Sequence, residues 1–171
     1  LNGSRAFTED HPEVVEGLQA LFNQDNGTGR VVNLSAQGFT GAGSSLADWL
    51  SQVPTEVAQH VDLNLPGNPS GGGSDHASFV CWGSPAFSLG ALSWDYGSHT
   101  WHTTRDTYDK VVFEDVRNNA VLTASLAYLA SEDPDRVSRE RRSVLRGRGG
   151  QPAEWPTCTP STRSSRTSPR M

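Results

Sequence analysis

Cysteine and long apolar runs are scarce in this sequence of 171 residues, and its hydrophobic fraction of 35% is low for a fully packed globular domain. The two cysteines, Cys81 and Cys158, stand far apart, and their number and spacing suggest neither a disulfide framework nor a cysteine zinc site. No run of about 18 apolar residues occurs, and the first residues show no signal-peptide pattern. We therefore expect no membrane span in this chain.

Acidic residues outnumber basic ones over most of the chain, whereas its last part is basic. Residues 1–135 contain five Lys or Arg against 17 Asp or Glu, and residues 136–171 contain nine Arg against two Glu. The acidic body argues against a nucleic-acid partner. The Arg, Ser, Thr and Pro of the last part, with few large apolar side chains, are typical of disorder. The sequence thus predicts a folded body, 1–135, followed by a disordered tail, 136–171.

Short extended runs alternate with helical patterns along the body. Helices are predicted over residues 7–16, 44–53, 54–60, 75–82 and 113–131, with Ser44 or Ser45 as the cap of the second. Strands are predicted over residues 18–25, 30–36 and 85–94. This alternation is typical of an α/β sheet whose site lies at the carboxyl ends of the strands.

The first predicted strand ends at an acidic residue, Asp25. The turn-forming sequence NGTG (26–29) follows it, so residues 18–36 are expected to form a hairpin or a strand-turn-strand with Asp25 at the rim. A carboxylate in that position projects from the sheet edge and is a candidate metal ligand. A local Asx turn is the alternative role for this side chain.

A loop rich in Gly, Pro, Asn and Ser (64–73) leads to three polar residues, Ser74, Asp75 and His76. We expect Ser74 to cap a short helix over 75–82, with a solvated Asp75 as the alternative to any functional role. The three residue types match a catalytic triad. Three adjacent side chains cannot converge on one reaction centre, however, so we exclude serine hydrolase chemistry.

A polar loop over 95–107 contains His99, His102 and Asp106. A neutral imidazole is the commonest protein ligand of zinc, and its ring needs an acceptor that orients it. Asp106 is a candidate for that acceptor beside His102. The alternative for an isolated histidine is a hydrogen bond to its own loop neighbours. For Trp101, the residue before His102, a purely structural role is that of an aromatic wall of a pocket.

Two segments, GSDHASF (73–79) and WHTTRDT (101–107), together resemble the dinuclear-zinc aminopeptidases. This family also contains glutamate carboxypeptidases, glutaminyl cyclases and the catalytically silent transferrin receptor. The resemblance covers residues 3–130. It implies an α/β fold, namely the C-terminal half of a mixed-sheet, three-layer α/β/α zinc-peptidase domain.

The resemblance also implies roles for individual residues. The segment 20–27 is similar to the family's NxDMxG strand end, whose aspartate binds one metal, and WHTTRDT is similar to the segment that carries the last zinc-binding histidine. Asp25 and His102 are therefore the implied metal ligands. The residues implied to support the metals or to line the substrate pocket are Ser74, Asp75, His76, Trp101 and Asp106.

The start of the chain bears on how complete this site is. GSRAF (3–7) resembles the segment that follows the family's Glu-Glu pair, which contains the general base and a zinc ligand. The resemblance thus places the catalytic glutamate upstream of Leu1, and leaves one ligand in this chain for each of two zinc ions. Because a zinc site needs three or four protein ligands, we expect this chain alone to bind zinc weakly or not at all and to hydrolyse nothing.

The implied function is that of a fragment of an aminopeptidase, which hydrolyses N-terminal peptide bonds of peptide substrates with a water activated by two zinc ions. Trp101 stands where the aminopeptidases have tyrosine and looks more like the glutaminyl cyclases, so a zinc acyltransferase is one alternative. A noncatalytic binding or dimerisation domain is the other. Members of the family are usually exported, and from this resemblance we expect an extracytoplasmic or secreted protein.

Overall fold

The computed structural model describes residues 1–146 and 150–162. Over these residues the helices are α1 (Asn2–Asp10), α2 (Pro12–Gly17), α3 (Gly43–Gln52), α4 (Thr55–Ala58), α5 (Ala77–Val80) and α6 (Phe113–Glu132). The strands are β1 (Leu21–Gln24), β2 (Val31–Ser35), β3 (Asp62–Asn64), β4 (Ala86–Ala91), β5 (Leu145–Arg146) and β6 (Pro152–Ala153). Single 3₁₀ turns lie at Thr40–Ala42 and Tyr108–Lys110, and a π turn lies at Tyr96–Thr100.

The first four strands form one mixed sheet in the order β1-β4-β2-β3. Strand β4 runs parallel to β1 and antiparallel to β2, and β3 runs parallel to β2. The predicted hairpin is therefore wrong, because β4 lies between β1 and β2, and the strand-turn-strand alternative is confirmed. The carboxyl ends of β1 and β4 meet the start of β2 at one side of the sheet. We name this side, where residues 25–30 and 92–112 leave the strands, the loop edge.

Apolar side chains from the sheet and the helices form one contiguous buried cluster. Phe87 in the central strand β4 is fully buried, and its ring centroid lies 5.8 Å from that of Phe22 and 6.5 Å from that of Phe39. One group of helices, α3, α4 and α6, contacts β1 through α6, and a second group, α1, α2 and α5, contacts β4 through α5. The α/β class with a mixed sheet is confirmed.

Several helix boundaries differ from those predicted. The single helix predicted over 7–16 is two helices, because the chain breaks at His11 and Pro12 opens α2, where a missing N–H costs no hydrogen bond. Helix α3 begins at Gly43 without a side-chain cap, so neither Ser44 nor Ser45 has the predicted role. The long helix α6 is confirmed. Within the described residues, the helices are too short or too polar to cross a membrane.

The segment after α6 packs against the body in residues 136–146 and 150–162, whereas the sequence analysis predicted a disordered tail there. Strands β5 and β6 pair with each other, and the peptide N–H of Thr40 donates to the carbonyl oxygen of Glu140. Arg139 donates to the carbonyl oxygens of Val15, Glu16 and Leu18, which lie at the end of α2. Composition did not reveal this, because arginine side chains that bond carbonyl groups look the same in sequence as solvated ones. The other tail residues, 147–149 and 163–171, lie outside the described part.

A disulfide bond joins Cys81 to Cys158, which the sequence analysis did not propose. It connects the residue after α5 to the segment after α6 across 77 residues. Beside it, Trp155 donates its indole N–H to the carbonyl oxygen of Val80 at 2.9 Å, and its ring lies 5.3 Å from that of Phe39. These contacts fasten residues 150–162 to α5, which follows the Ser74-Asp75-His76 segment.

Candidate functional site

Two of the three segments singled out by sequence leave the sheet at the loop edge, and the third is bonded to the strand that ends there. Asp25 follows β1 directly and is exposed, and the loop with His102 follows β4. The Nδ2 atom of Asn23 in β1 donates to Ser74 Oγ at 2.9 Å, so the third segment lies beside the same strand. The fold thus brings the three segments to one region of the sheet although they are far apart in sequence.

The turn after Asp25 and the loop with His102 pack directly on each other. Gly27 has a φ of +76°, and a Cβ atom built on it would lie 2.7 Å from the ring of Tyr96. Thr28 Oγ1 donates to the carbonyl oxygen of Lys110 at 3.2 Å and accepts from the peptide N–H of Val112 at 3.2 Å. Both ends of the loop are therefore held against this turn.

Ser74 does not cap a helix. Helix α5 begins three residues later, at Ala77, and has no side-chain cap. The Ser74 hydroxyl oxygen instead accepts a hydrogen bond from the Nδ2 atom of Asn23. The predicted cap is therefore wrong, and the short helix is held by backbone bonds of its own turns, such as Phe79 N–H to the carbonyl oxygen of His76.

His76 is the most buried of the predicted site residues, with 6% of its surface exposed. Burial lowers its pKa, while the nearby carboxylates of Asp25 and Asp75 act in the opposite direction. Among the described residues, its Nδ1 atom has no hydrogen-bond partner. Burial therefore favours the uncharged form of this imidazole near Asp25.

His102 lies in the exposed part of the loop with a φ of 57°, a left-handed conformation that is uncommon for residues other than glycine. Its ring stacks on Trp101 with centroids 4.3 Å apart. Within the part of the chain that the structure describes, no hydrogen bond joins Asp106 to this imidazole. The orienting role of Asp106 stays a prediction.

These residues alone do not fit a complete zinc site. Across residues 1–146 and 150–162, no group of three or more His, Cys, Asp or Glu side chains is arranged to hold a metal ion. A protein zinc site takes three or four such ligands. Asp25 and His102 can therefore serve only as part of a ligand set that other residues complete.

Two polar residues on α6 that hold this region together were missed by the sequence analysis. The buried face of the helix consists of Asp115, Asn119, Leu122, Leu126 and Ala130. Asn119 accepts from the peptide N–H of Val31 and donates to the carbonyl oxygen of Gly29, each at 2.8 Å. The signal was available, because two polar residues four apart on the face that is otherwise apolar predict buried partners.

Comparisons with known proteins bear on the family and the fold of this chain. The sequence profile of peptidase family M28 matches residues 1–127. A crystal structure of a peptidase M28 precursor from Shewanella amazonensis SB2B superposes with a TM-score of 0.66 at 22% identity, over 85% of this chain and 30% of that one. A search of curated proteins found no significant match. The chain thus spans less than a third of the solved relative, and by the family match it belongs to peptidase family M28.

Proposed function

We propose that this chain is the C-terminal part, residues 1–135, of the catalytic domain of a zinc-dependent aminopeptidase, with residues 136–146 and 150–162 packed on it. The intact protein would remove N-terminal residues from peptides. The observation that supports this most directly is the meeting of three motif segments at the loop edge, with Asn23 bonded to Ser74 and the turn after Asp25 packed on the loop of His102. Membership of peptidase family M28 supports peptidase chemistry.

In this proposal Asp25 and His102 each bind a different zinc ion. For metals about 3.5 Å apart, we expect the two side chains to lie roughly 5 to 7 Å from each other. His76, which is buried near Asp25 and has a lowered pKa, would line the pocket in its uncharged form. Asp75 would add negative charge beside it. The general base and the remaining zinc ligands would come from residues outside this chain, so the chain alone would bind zinc weakly and hydrolyse nothing.

The test compares this chain with the product of the complete gene. We expect the complete protein to cleave aminoacyl anilides and to lose activity on chelation, and the 171-residue chain to show neither activity nor tight zinc binding by isothermal titration. In the complete protein, His102→Gln should abolish activity and halve the zinc content. His99→Gln is the matched control, because His99 lies in the same loop and its ring is hydrogen-bonded to the hydroxyl of Ser98. Equal activity of the two variants, or submicromolar stoichiometric zinc in the chain alone, would contradict the proposal.

A glutaminyl cyclase-like acyltransferase is the second candidate, and one contact favours it. Trp101 is 53% exposed and stacks on His102, so an indole face, rather than a phenol, borders the site. Assays of the complete protein on peptides with N-terminal Gln, in parallel with aminoacyl anilides, separate the two activities. Formation of pyroglutamyl product without anilide cleavage would favour the cyclase, and neither reaction in a zinc-free protein would favour a noncatalytic binding domain. We keep an extracytoplasmic location as a proposal, testable by fractionation.

A further inference from the structure

The carboxylate of Asp115 lies at the junction of the two segments that carry the proposed ligands. It sits in the first turn of α6 and is 5% exposed. Its Oδ2 atom accepts from the peptide N–H of Arg30 at 2.9 Å and from the indole N–H of Trp94 at 2.8 Å. Its Oδ1 atom lies 3.3 Å from Nε of Arg30. One buried carboxylate thus binds the turn after Asp25 and the start of the loop after β4.

The backbone at the second of these contacts is strained. Trp94 has a φ of 43° and Asp95 a φ of 60°, both left-handed. Residues other than glycine keep such conformations only where their surroundings hold them. The bond from the Trp94 indole to Asp115 is a restraint of that kind, and the chain continues directly into the π turn Tyr96–Thr100 that precedes Trp101 and His102.

The loop makes a second contact with the turn just after Trp94. The ring of Tyr96, two residues later, covers Gly27 so closely that a side chain there has no room. The peptide N–H of Leu92 donates to the carbonyl oxygen of Arg30 at 2.9 Å, so the loop and the turn also meet at their bases. Beyond these points the loop is exposed, since every residue from 101 to 110 is solvent-accessible. The loop that carries His102 is therefore held against the turn at its two ends, and the residues between are exposed.

We propose that Asp115 is a positioning residue, which sets the separation of Asp25 and His102 by accepting hydrogen bonds from both segments at once. An ionised carboxylate suits this place because all three groups that face it are donors. An amide would present its own N–H₂ group to one of them. The inference rests on the proposed function for what the two side chains bind, but the geometry that it asserts is independent of zinc.

The test measures that geometry in the full 171-residue chain. Asp25→Cys and His102→Cys are spin-labelled under oxidising conditions, in which Cys81 and Cys158 stay paired, and electron–electron double resonance gives the distance distribution. We expect one narrow distribution, which broadens toward longer distances when Asp115→Asn is added. Asp109→Asn is the matched control, because this carboxylate lies in the same loop but is 67% exposed. A distribution that is the same for both variants would overturn the proposal.

A milder variant covers the case in which Asp115→Asn fails to fold by circular dichroism. Trp94→Phe keeps an aromatic ring and removes only the indole N–H donor. We expect it to broaden the distribution in the same direction, and a distribution equal to the control's would overturn the proposal. Because the labels report distance without metal or substrate, a complete protein that lacks peptidase activity would defeat the proposed function and leave this inference standing.

Discussion

Two irregular segments of this molecule, the loop 92–112 and the C-terminal segment 150–162, are both largely exposed, yet they are held in place by different means. The loop is held by noncovalent contacts at its base, from Trp94 to Asp115 and from Tyr96 to the turn at Gly27. The C-terminal segment is held by the disulfide to Cys81, by the packing of Trp155, and by Ser161, whose peptide N–H donates to Glu9 at 2.7 Å.

The comparison shows that a few anchoring contacts hold in place a segment that has little secondary structure. It also determines which change releases each segment. The C-terminal segment should respond to reductant, whereas the loop should respond to substitutions at the loop edge. Reduction of the disulfide and substitution at the loop edge therefore separate these responses.

The largest effect is expected from removal of the disulfide. In the chain-entropy description, a bridge that spans 77 residues stabilises the fold by about 4 kcal/mol, and reduction should lower the free energy of unfolding by that order. Hydrogen exchange should rise in 150–162 and stay unchanged in 92–112. The Cys81→Ala, Cys158→Ala double variant is the control for reductant itself. If reductant lowers the urea midpoint of that variant as much as that of the wild type, the disulfide is not the cause.

Replacement of Trp155 should have the next largest effect. Trp155→Ala removes the bond to Val80, the packing on Phe39 and the contact with the Arg141 guanidinium 5.0 Å above the ring, at a cost of about 3 kcal/mol in unfolding free energy. Trp101→Ala is the control, since this exposed residue should change stability by no more than about 0.5 kcal/mol. Equal destabilisation by the two changes would show that Trp155 does not anchor the segment.

A smaller effect is expected at the turn under the loop. Gly27→Ala introduces a Cβ into the ring of Tyr96 at a left-handed position, and should cost about 1 to 2 kcal/mol while raising hydrogen exchange in 92–112 only. Gly97→Ala is matched to it, because Gly97 lies in the same loop with no heavy atom within 4 Å of the added Cβ. Faster exchange in 150–162 would mean that the two segments are coupled.

The smallest effect concerns pH. The pKa of His76 in the folded chain is lowered below its usual value of 6.5 by burial. Below pH 6.5 the unfolded state therefore binds a proton that the folded state does not, so stability falls as pH decreases from 6.5 to the folded pKa. His76→Gln should lessen this fall in urea titrations at pH 7 and pH 5.5. His60→Gln, which replaces an exposed histidine, should leave it unchanged. An identical pH dependence in wild type and His76→Gln would contradict the assignment.

Much of the local structure could be predicted because it depends on short-range patterns. The apolar spacing of α6 and the run of β4 predicted these elements within a few residues, and the turn sequence after Asp25 was placed correctly. The pairing of the strands on either side of this turn was predicted wrongly as a hairpin. No local pattern shows whether two strands joined by a tight turn pair with each other or with a third strand. Ser74 failed as a cap for a similar reason, since its partner Asn23 is 51 residues away.

The sequence by itself determined the α/β class, the family resemblance and the identity of Asp25, His76 and His102 as the residues to examine, because motifs and periodicity are local properties of the chain. Only the tertiary structure decided that the tail is fastened by Cys158 and that Asp115 binds both segments of the loop edge. These contacts join residues 77, 85 and 21 positions apart, and no local pattern encodes a partner at such distances.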